Sequence, residues 1–163
     1  MTGRVTVLLA DEFSVSDDHA RRLRATMPEV SSVERVNDLE EVCVRAHFAC
    51  RVVVIVNARS SVLGSLARRL SDIARGGILT VVTAPADVQV SALFTRGIRG
   101  MVHSLVPAEE LITAIRAVAE GHAYVPARYL PVVAEAMARN PGNGRAAGAY
   151  RVVWAYRAGL VEA

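Results

Sequence analysis

Lysine is absent from the 163-residue chain, and all 19 of its basic residues are arginine. No site that depends on an ammonium group can be built from it, because every fixed positive charge is a guanidinium. Cysteine is nearly absent too. The two cysteines, Cys43 and Cys50, form no CxxC pair and have no histidine cluster around them, so a metal or redox role is disfavoured and buried free thiols in a reducing cytoplasm are the expectation. No apolar run approaches the roughly 18–20 residues that a membrane-spanning helix needs. Strand-like sequence begins at once after Met1-Thr-Gly-Arg-Val5, so no secretory leader is expected. Glycine is missing where a nucleotide-binding fold would need it: Asp11-Glu12-Phe13 follows the first apolar run in place of a glycine-rich phosphate loop, which disfavours a dinucleotide cofactor. The four histidines, His19, His47, His103 and His122, stand on separate elements without a metal-ligand spacing. We expect no metal, no cofactor and no enzyme activity.

What is present is a hydrophobic content of 52% with 21% charged residues, the balance of a globular chain of about one domain. Residues 1–138 carry 15 Arg against 15 Asp and Glu, so the net charge of +3 belongs to residues 139–163, with Arg139, Arg145, Arg151 and Arg157 against Glu162. The stretch that organises the chain is Arg51-Val-Val-Val-Ile-Val-Asn57. An apolar run with no alternation reads as a strand buried on both faces of a parallel sheet. Ligands of such sheets sit beyond the carboxyl ends of the strands, where this run ends on the amide Asn57.

Around it the pattern alternates strand and helix. Val5–Ala10 forms a first strand ending on Asp11-Glu12, and Ser16-Asp17-Asp18 caps a helix to about Met27. Val30, Val33 and Val36 mark a second strand near an edge, and Asn37-Asp38 caps a helix with Leu39, Val42, Cys43, Ala46 and Phe48 on or near one face. A helix over 61–75 stops at Gly76-Gly77, a fourth strand covers 78–83, and a helix runs over 87–96. A short fifth strand within 97–104 leads to an amphipathic helix from Pro107 to Glu120, with Gly121 as its stop. The expected architecture is α/β, a doubly wound five-stranded parallel sheet of (βα)5 flavodoxin-like form over residues 1–122. Residues 123–163 are read as a helical C-terminal extension, with helices around 129–139 and 146–160 and a linker Asn140-Pro-Gly-Asn-Gly144.

Leu9-Ala-Asp-Glu12, Asn57, Thr83-Ala84 and Gly97-Ile-Arg-Gly-Met-Val102, taken in this order, resemble the receiver domain of bacterial two-component response regulators. The stretch Pro107-Ala-Glu-Glu-Leu-Ile-Thr-Ala-Ile-Arg-Ala-Val-Ala-Glu-Gly121 is similar to the fifth helix of the NarL/FixJ-like branch. The resemblance covers roughly residues 4–121 and implies a phosphoacceptor pocket. Its positions here are Asp11 and Glu12 for the acidic pair, Asn57 for the acceptor aspartate, Val82 or Thr83 for the switch hydroxyl, Met101 for the rotating aromatic, and Ser104 for the lysine. A neutral amide cannot form an acyl phosphate, and no lysine elsewhere in the chain can replace the one missing at Ser104. Mg²⁺ loses one of three carboxylates, so Asp11 and Glu12 read as retained fold residues.

The resemblance, with these departures, implies a pseudo-receiver: a phosphorylation-independent regulatory module, cytoplasmic, acting by protein–protein contact in transcriptional regulation. The surfaces expected to serve a partner or a homodimer are the fourth helix, fifth strand and fifth helix (about 87–120), or the first and fifth helices. The alternative is a small-molecule sensor in the degenerate pocket, with Arg59 or Arg99 as a protein group that could fill it instead. The Arg- and aromatic-rich segment 145–160 has the composition to touch nucleic acid, but the favoured reading is a helix whose Tyr150, Val153, Trp154 and Leu160 pack on the receiver or on a second subunit. Some 24 residues are too few for a helix-turn-helix output domain, so direct DNA binding by this chain alone is not expected.

Overall fold

The computed structural model describes residues 4–10, 17–57, 63–70, 76–82, 98–103, 105–126, 129 and 131. Five parallel strands form one sheet in the order β2-β1-β3-β4-β5. They are β1 (Val5–Ala10), β2 (Val30–Val36), β3 (Arg51–Asn57), β4 (Gly76–Val82) and β5 (Gly100–His103). The described helices are α1 (Asp17–Thr26), α2 (Leu39–Phe48), α3 (Leu63–Leu70) and α4 (Ala108–Ala119). The last of these is the fifth helix of the sequence reading, because the helix expected at 87–96 lies outside the described residues.

β3 explains why its sequence does not alternate. Val53 and Ile55 enter one core with Leu23 of α1 and Leu111 and Ile115 of α4. Val52, Val54 and Val56 enter a second core with Val42 and Ala46 of α2 and Leu63 and Leu66 of α3. Both pleat faces are therefore covered, which is the doubly wound arrangement expected. Five such side chains together contribute on the order of 10 kcal/mol of apolar burial, before conformational entropy opposes it. β2, by contrast, is an edge strand with Val33 and Val36 buried and Ser31 and Arg35 exposed. A register shift against β1 lies between Val5 and Thr6, the Ser31 hydroxyl donates to the Val5 carbonyl at 3.2 Å, and the Arg24 guanidinium donates to the Val33 carbonyl of β2 at 2.9 Å.

Helix ends follow local chemistry. The Asp38 carboxylate accepts the Glu40 N–H at 3.0 Å and caps α2. At the other end of the chain Gly121, at φ 83°, stops α4: its N–H bonds to the Val118 carbonyl and the His122 N–H to that of Ala117. That double closure requires a left-handed residue, and glycine adopts it without a Cβ penalty. Ion pairs fasten helices in place on both faces of the sheet. Arg116 Nε bonds Glu29 Oε1 at 2.8 Å and Arg22 lies 3.6 Å from Glu109, tying α4 to α1 and its exit loop. Arg69 of α3 meets Glu40 of α2 in a two-pronged contact.

The fourth strand begins at Gly76, two residues before the expected start at 78, while residues 71–75, the expected end of the preceding helix, lie outside the described residues. At Gly77 the packing is close: a Cβ there would lie 2.9 Å from Arg99 Cδ and 3.0 Å from Val118 Cγ1. Two further expectations are corrected. Phe48 does not join the apolar face of α2. It is 81% exposed at the last turn, with His47 edge-on to its ring at 5.3 Å. Cys50 is exposed and Cys43 half-buried, so the thiols are free as expected but not both inside.

The core also continues past residue 122. Tyr124 forms a parallel bridge with Gly100: its N–H donates to the Arg99 carbonyl at 2.9 Å and its carbonyl accepts the Met101 N–H at 3.0 Å. Ala123, Val125 and Tyr129 are buried in the α2/α3-side core, and Tyr124 in the other. The helix expected around 146–160 and most of that around 129–139 lie outside the described residues.

Candidate functional site

In a 2-1-3-4-5 sheet the chain reverses its winding between β1 and β3, and the crevice beyond the carboxyl ends of those strands is where such folds bind ligands. Register places the rim. β1 runs beside β3 from Val5↔Arg51 to Leu9↔Ile55, β3 beside β4 as far as Asn57↔Val81, and β4 beside β5 as far as Val82↔His103. Ala10, Asn57, Val82 and His103 therefore end their strands on one side of the sheet. The organising residue of the sequence reading, Asn57, closes the central strand at this rim.

The other expected pocket residues are described to different extents. Val82 is the last residue of β4. Asp11, Glu12, Thr83 and Ser104 lie outside the described residues, although in sequence Asp11 directly follows Ala10, Thr83 follows Val82 and Ser104 follows His103. Met101 is described fully. It is 0% exposed, in the α2/α3-side core with Ile78, Ile98, Val125 and Tyr129. An unbranched thioether fills this space without a polar end that would need a partner, unlike tyrosine.

Arg99 does not approach the rim. Its Cδ is 2.9 Å from the position a Cβ on Gly77 would take, and its Nη1 is 3.3 Å from the corresponding position at Gly121. Both glycines mark the opposite side of the molecule, the start of β4 and the end of α4. A cation is favourable there beside the carbonyl end of α4. Arg59 lies outside the described residues.

Two histidines that sequence spacing did not single out hold the segment entering α4. His103 Nδ1 accepts the Leu105 N–H at 3.1 Å, while the His103 carbonyl accepts the Val106 N–H at 3.0 Å. From α1, His19 Nε2 lies 3.3 Å from the Val106 carbonyl, a contact in which the imidazole N–H donates. Leu105, beside these contacts, is 84% exposed. Nothing in the sequence marks them, since they join side chains to backbone and involve no shared spacing. Among the described residues no group of three or more His, Cys, Asp or Glu could hold a metal ion, and no helix is long and apolar enough to cross a membrane.

No protein-family model matches the chain. The search of curated proteins likewise finds no match. Solved structures do match. The response regulator ChrA of a heme-sensing two-component system aligns with a TM-score of 0.52 at 21% identity, over 84% of this chain and 66% of that one. The isolated REC domain of RcsB from Salmonella enterica serovar Typhimurium, determined with the phosphomimetic BeF3−, aligns with a TM-score of 0.58 at 15% identity, over 82% of this chain and 98% of that domain. The five-stranded parallel sheet with helices on both faces is thus a receiver-like fold.

Proposed function

We propose that this receiver-fold chain is a regulatory module of the two-component type that works without phosphorylation and acts by protein–protein contact, on a NarL/FixJ-like framework and in the cytoplasm. The observation that carries the reading is the amide of Asn57 at the carboxyl end of the central strand, in a chain with no lysine. Acyl phosphate formation needs a carboxylate oxygen as nucleophile, and a neutral amide does not provide one. The fully buried Met101 supports the same reading, because an apolar side chain packed in the core favours one resting arrangement of β5. On this reading the partner is a protein or a second copy of the chain. It contacts a surface drawn from about residues 87–120, of which β5 and α4 are described, or that of α1 and α4, and any effect on transcription is delivered through it.

Incubating the full chain with acetyl phosphate and Mg²⁺ and measuring intact mass tests the proposal. No adduct is expected on the wild type, and a stoichiometric gain of about 80 daltons would overturn it. Asn57→Asp examined in parallel separates the contributions: uptake by that variant alone assigns the block to the missing carboxylate, and failure of both assigns it to the wider pocket. The small-molecule reading predicts instead a thermal shift with cell extract. A ligand present at about 100 times its Kd adds roughly 2.7 kcal/mol to stability.

A further inference from the structure

α2 is apolar on two faces. Val42 and Ala46 are buried in the core over the sheet and Leu39 packs against it, while Val44 and Phe48, one turn apart, are 54% and 81% exposed. The charged side chains fix which way this pair faces. On one flank Glu40 bonds Arg69 of α3 at 2.9 Å, and on the other Arg45 pairs with Glu34 of β2, so Val44 and Phe48 stand between the flanks and point away from the sheet. A helix that is apolar all round is covered all round.

The size of the patch argues against a separate protein as the cover. A stable interface between two molecules buries about 800 Å² on each, whereas one aromatic side chain supplies roughly 150–250 Å². A segment of the same chain needs less area, because tethering holds it at an effective concentration on the order of millimolar. Tyr129 is buried in the same α2/α3-side core as Val42 and Ala46, so residues 132–163, which lie outside the described residues, start from the side of the sheet on which α2 lies. Residues 132–149 reach up to about 60 Å when extended, enough to cross that face. In the helix expected over 146–160, Tyr150, Val153 and Trp154 fall on one side and Arg157 extends it by a turn.

Charge selects the target. Residues 139–163 hold Arg139, Arg145, Arg151 and Arg157 against Glu162. α1 and α3 are themselves net basic, whereas α2 with its cap has Asp38, Glu40 and Glu41 against Arg45. α4 is also net acidic, but among the described residues it has no exposed large apolar side chain. We propose that segment 146–160 docks on the outer face of α2, seating Tyr150, Val153 and Trp154 against Val44 and Phe48. The contact goes beyond the phosphorylation-independent reading and does not rest on it, and it occupies neither the β5–α4 nor the α1–α4 surface.

Trp154 is the one tryptophan of the chain, so the fluorescence of the full chain reports the contact. The wild type should emit as a shielded indole, with the same emission maximum and the same acrylamide quenching across a wide range of protein concentration. Phe48→Ser removes an exposed ring and should weaken docking roughly tenfold or more. Val44→Ser/Phe48→Arg, which also sets a like charge against the segment, should release it, with a red-shifted emission and quenching close to that of the urea-unfolded chain, while the domain still unfolds cooperatively in urea. Leu105→Ser, equally exposed but away from α2, should match wild type. A wild-type Trp154 as accessible as in the unfolded chain would overturn the docking. Shielding that survives Val44→Ser/Phe48→Arg, or that Leu105→Ser also removes, would overturn α2 as its site. Shielding lost on dilution would show that the segment is held by a second copy of the chain and would overturn the intramolecular contact.

Discussion

Gly100→Ala and Gly64→Ala are the same chemical change and should have opposite effects. At Gly100 an added Cβ would stand 2.7 Å from Leu79 Cδ1 and 2.8 Å from Val118 Cγ2, both in the core between the sheet and α4. Ordinary carbon contacts are about 3.5–4.0 Å, so the Leu79 and Val118 side chains must each give way by about 1 Å in a packed core. Overpacking of this kind costs typically 1–3 kcal/mol. At Gly64, in the first turn of α3, a Cβ would meet nothing within 4 Å, and the backbone has no positive φ there. Alanine at that position restricts the unfolded chain and favours the helix, a gain of about 0.4–1 kcal/mol. The two variants should therefore differ by roughly 1.5–4 kcal/mol, which for a chain of this size is several degrees in Tm. Urea unfolding at one temperature, with the slope checked for constancy, measures both. A Gly100→Ala variant as stable as wild type would refute the close approach of α4 to β4 and β5. A destabilised Gly64→Ala would refute the open environment assigned to α3.

The Arg116–Glu29 contact should show in the pH dependence of stability. Burial raises the Glu29 carboxyl, but the Arg116 hydrogen bond and charge, with a backbone hydrogen bond, outweigh it and leave the group below its ordinary value of 4.5. A folded-state pKa below the unfolded one stabilises above the unfolded pKa and loses that stabilisation as pH falls through the folded value. Arg116→Ala should thus cost about 0.5–1 kcal/mol near neutrality, discounted for its half-exposed side chain, with the difference from wild type narrowing below about pH 4.5 in urea titrations. For the thiols, an aromatic disulfide reagent should modify exposed Cys50 fast and half-buried Cys43 slowly, since burial raises the Cys43 thiol and the Arg69 charge only partly offsets it. Cys50→Ser should leave the slow phase alone, and two equal phases would contradict the assigned exposures.

Much of the architecture was legible because burial on two faces writes an unbroken apolar run, as at Val52–Val56, while an edge strand such as β2 writes an interrupted one. Gly77 reads in sequence only as a helix stop, whereas its missing Cβ also leaves room for Arg99 and Val118, a purpose that only packing reveals. Phe48 misled because helical spacing assigns a face without knowing that the sheet no longer lies beneath the last turn. The Tyr124 bridge left no periodic signal, being one residue long. At the candidate site Asn57 could be placed from sequence alone, since the end of a central strand is set by the run that precedes it. His19 and His103 could not, because side-chain to backbone bonds across distant elements have no sequence pattern.

A parallel sheet can in principle add strands sideways from either end, and here the two ends are stopped by different materials. At β2 the stop is a side chain, the Arg24 guanidinium seated on the Val33 carbonyl beside a shifted register. At β5 it is main chain, bonded at Arg99 and Met101. An exposed arginine leaves and returns within nanoseconds, whereas a backbone segment needs the slower local unfolding of microseconds to seconds. One border is thus held by a side chain that exchanges quickly, and the other by main chain that gives way only through local unfolding.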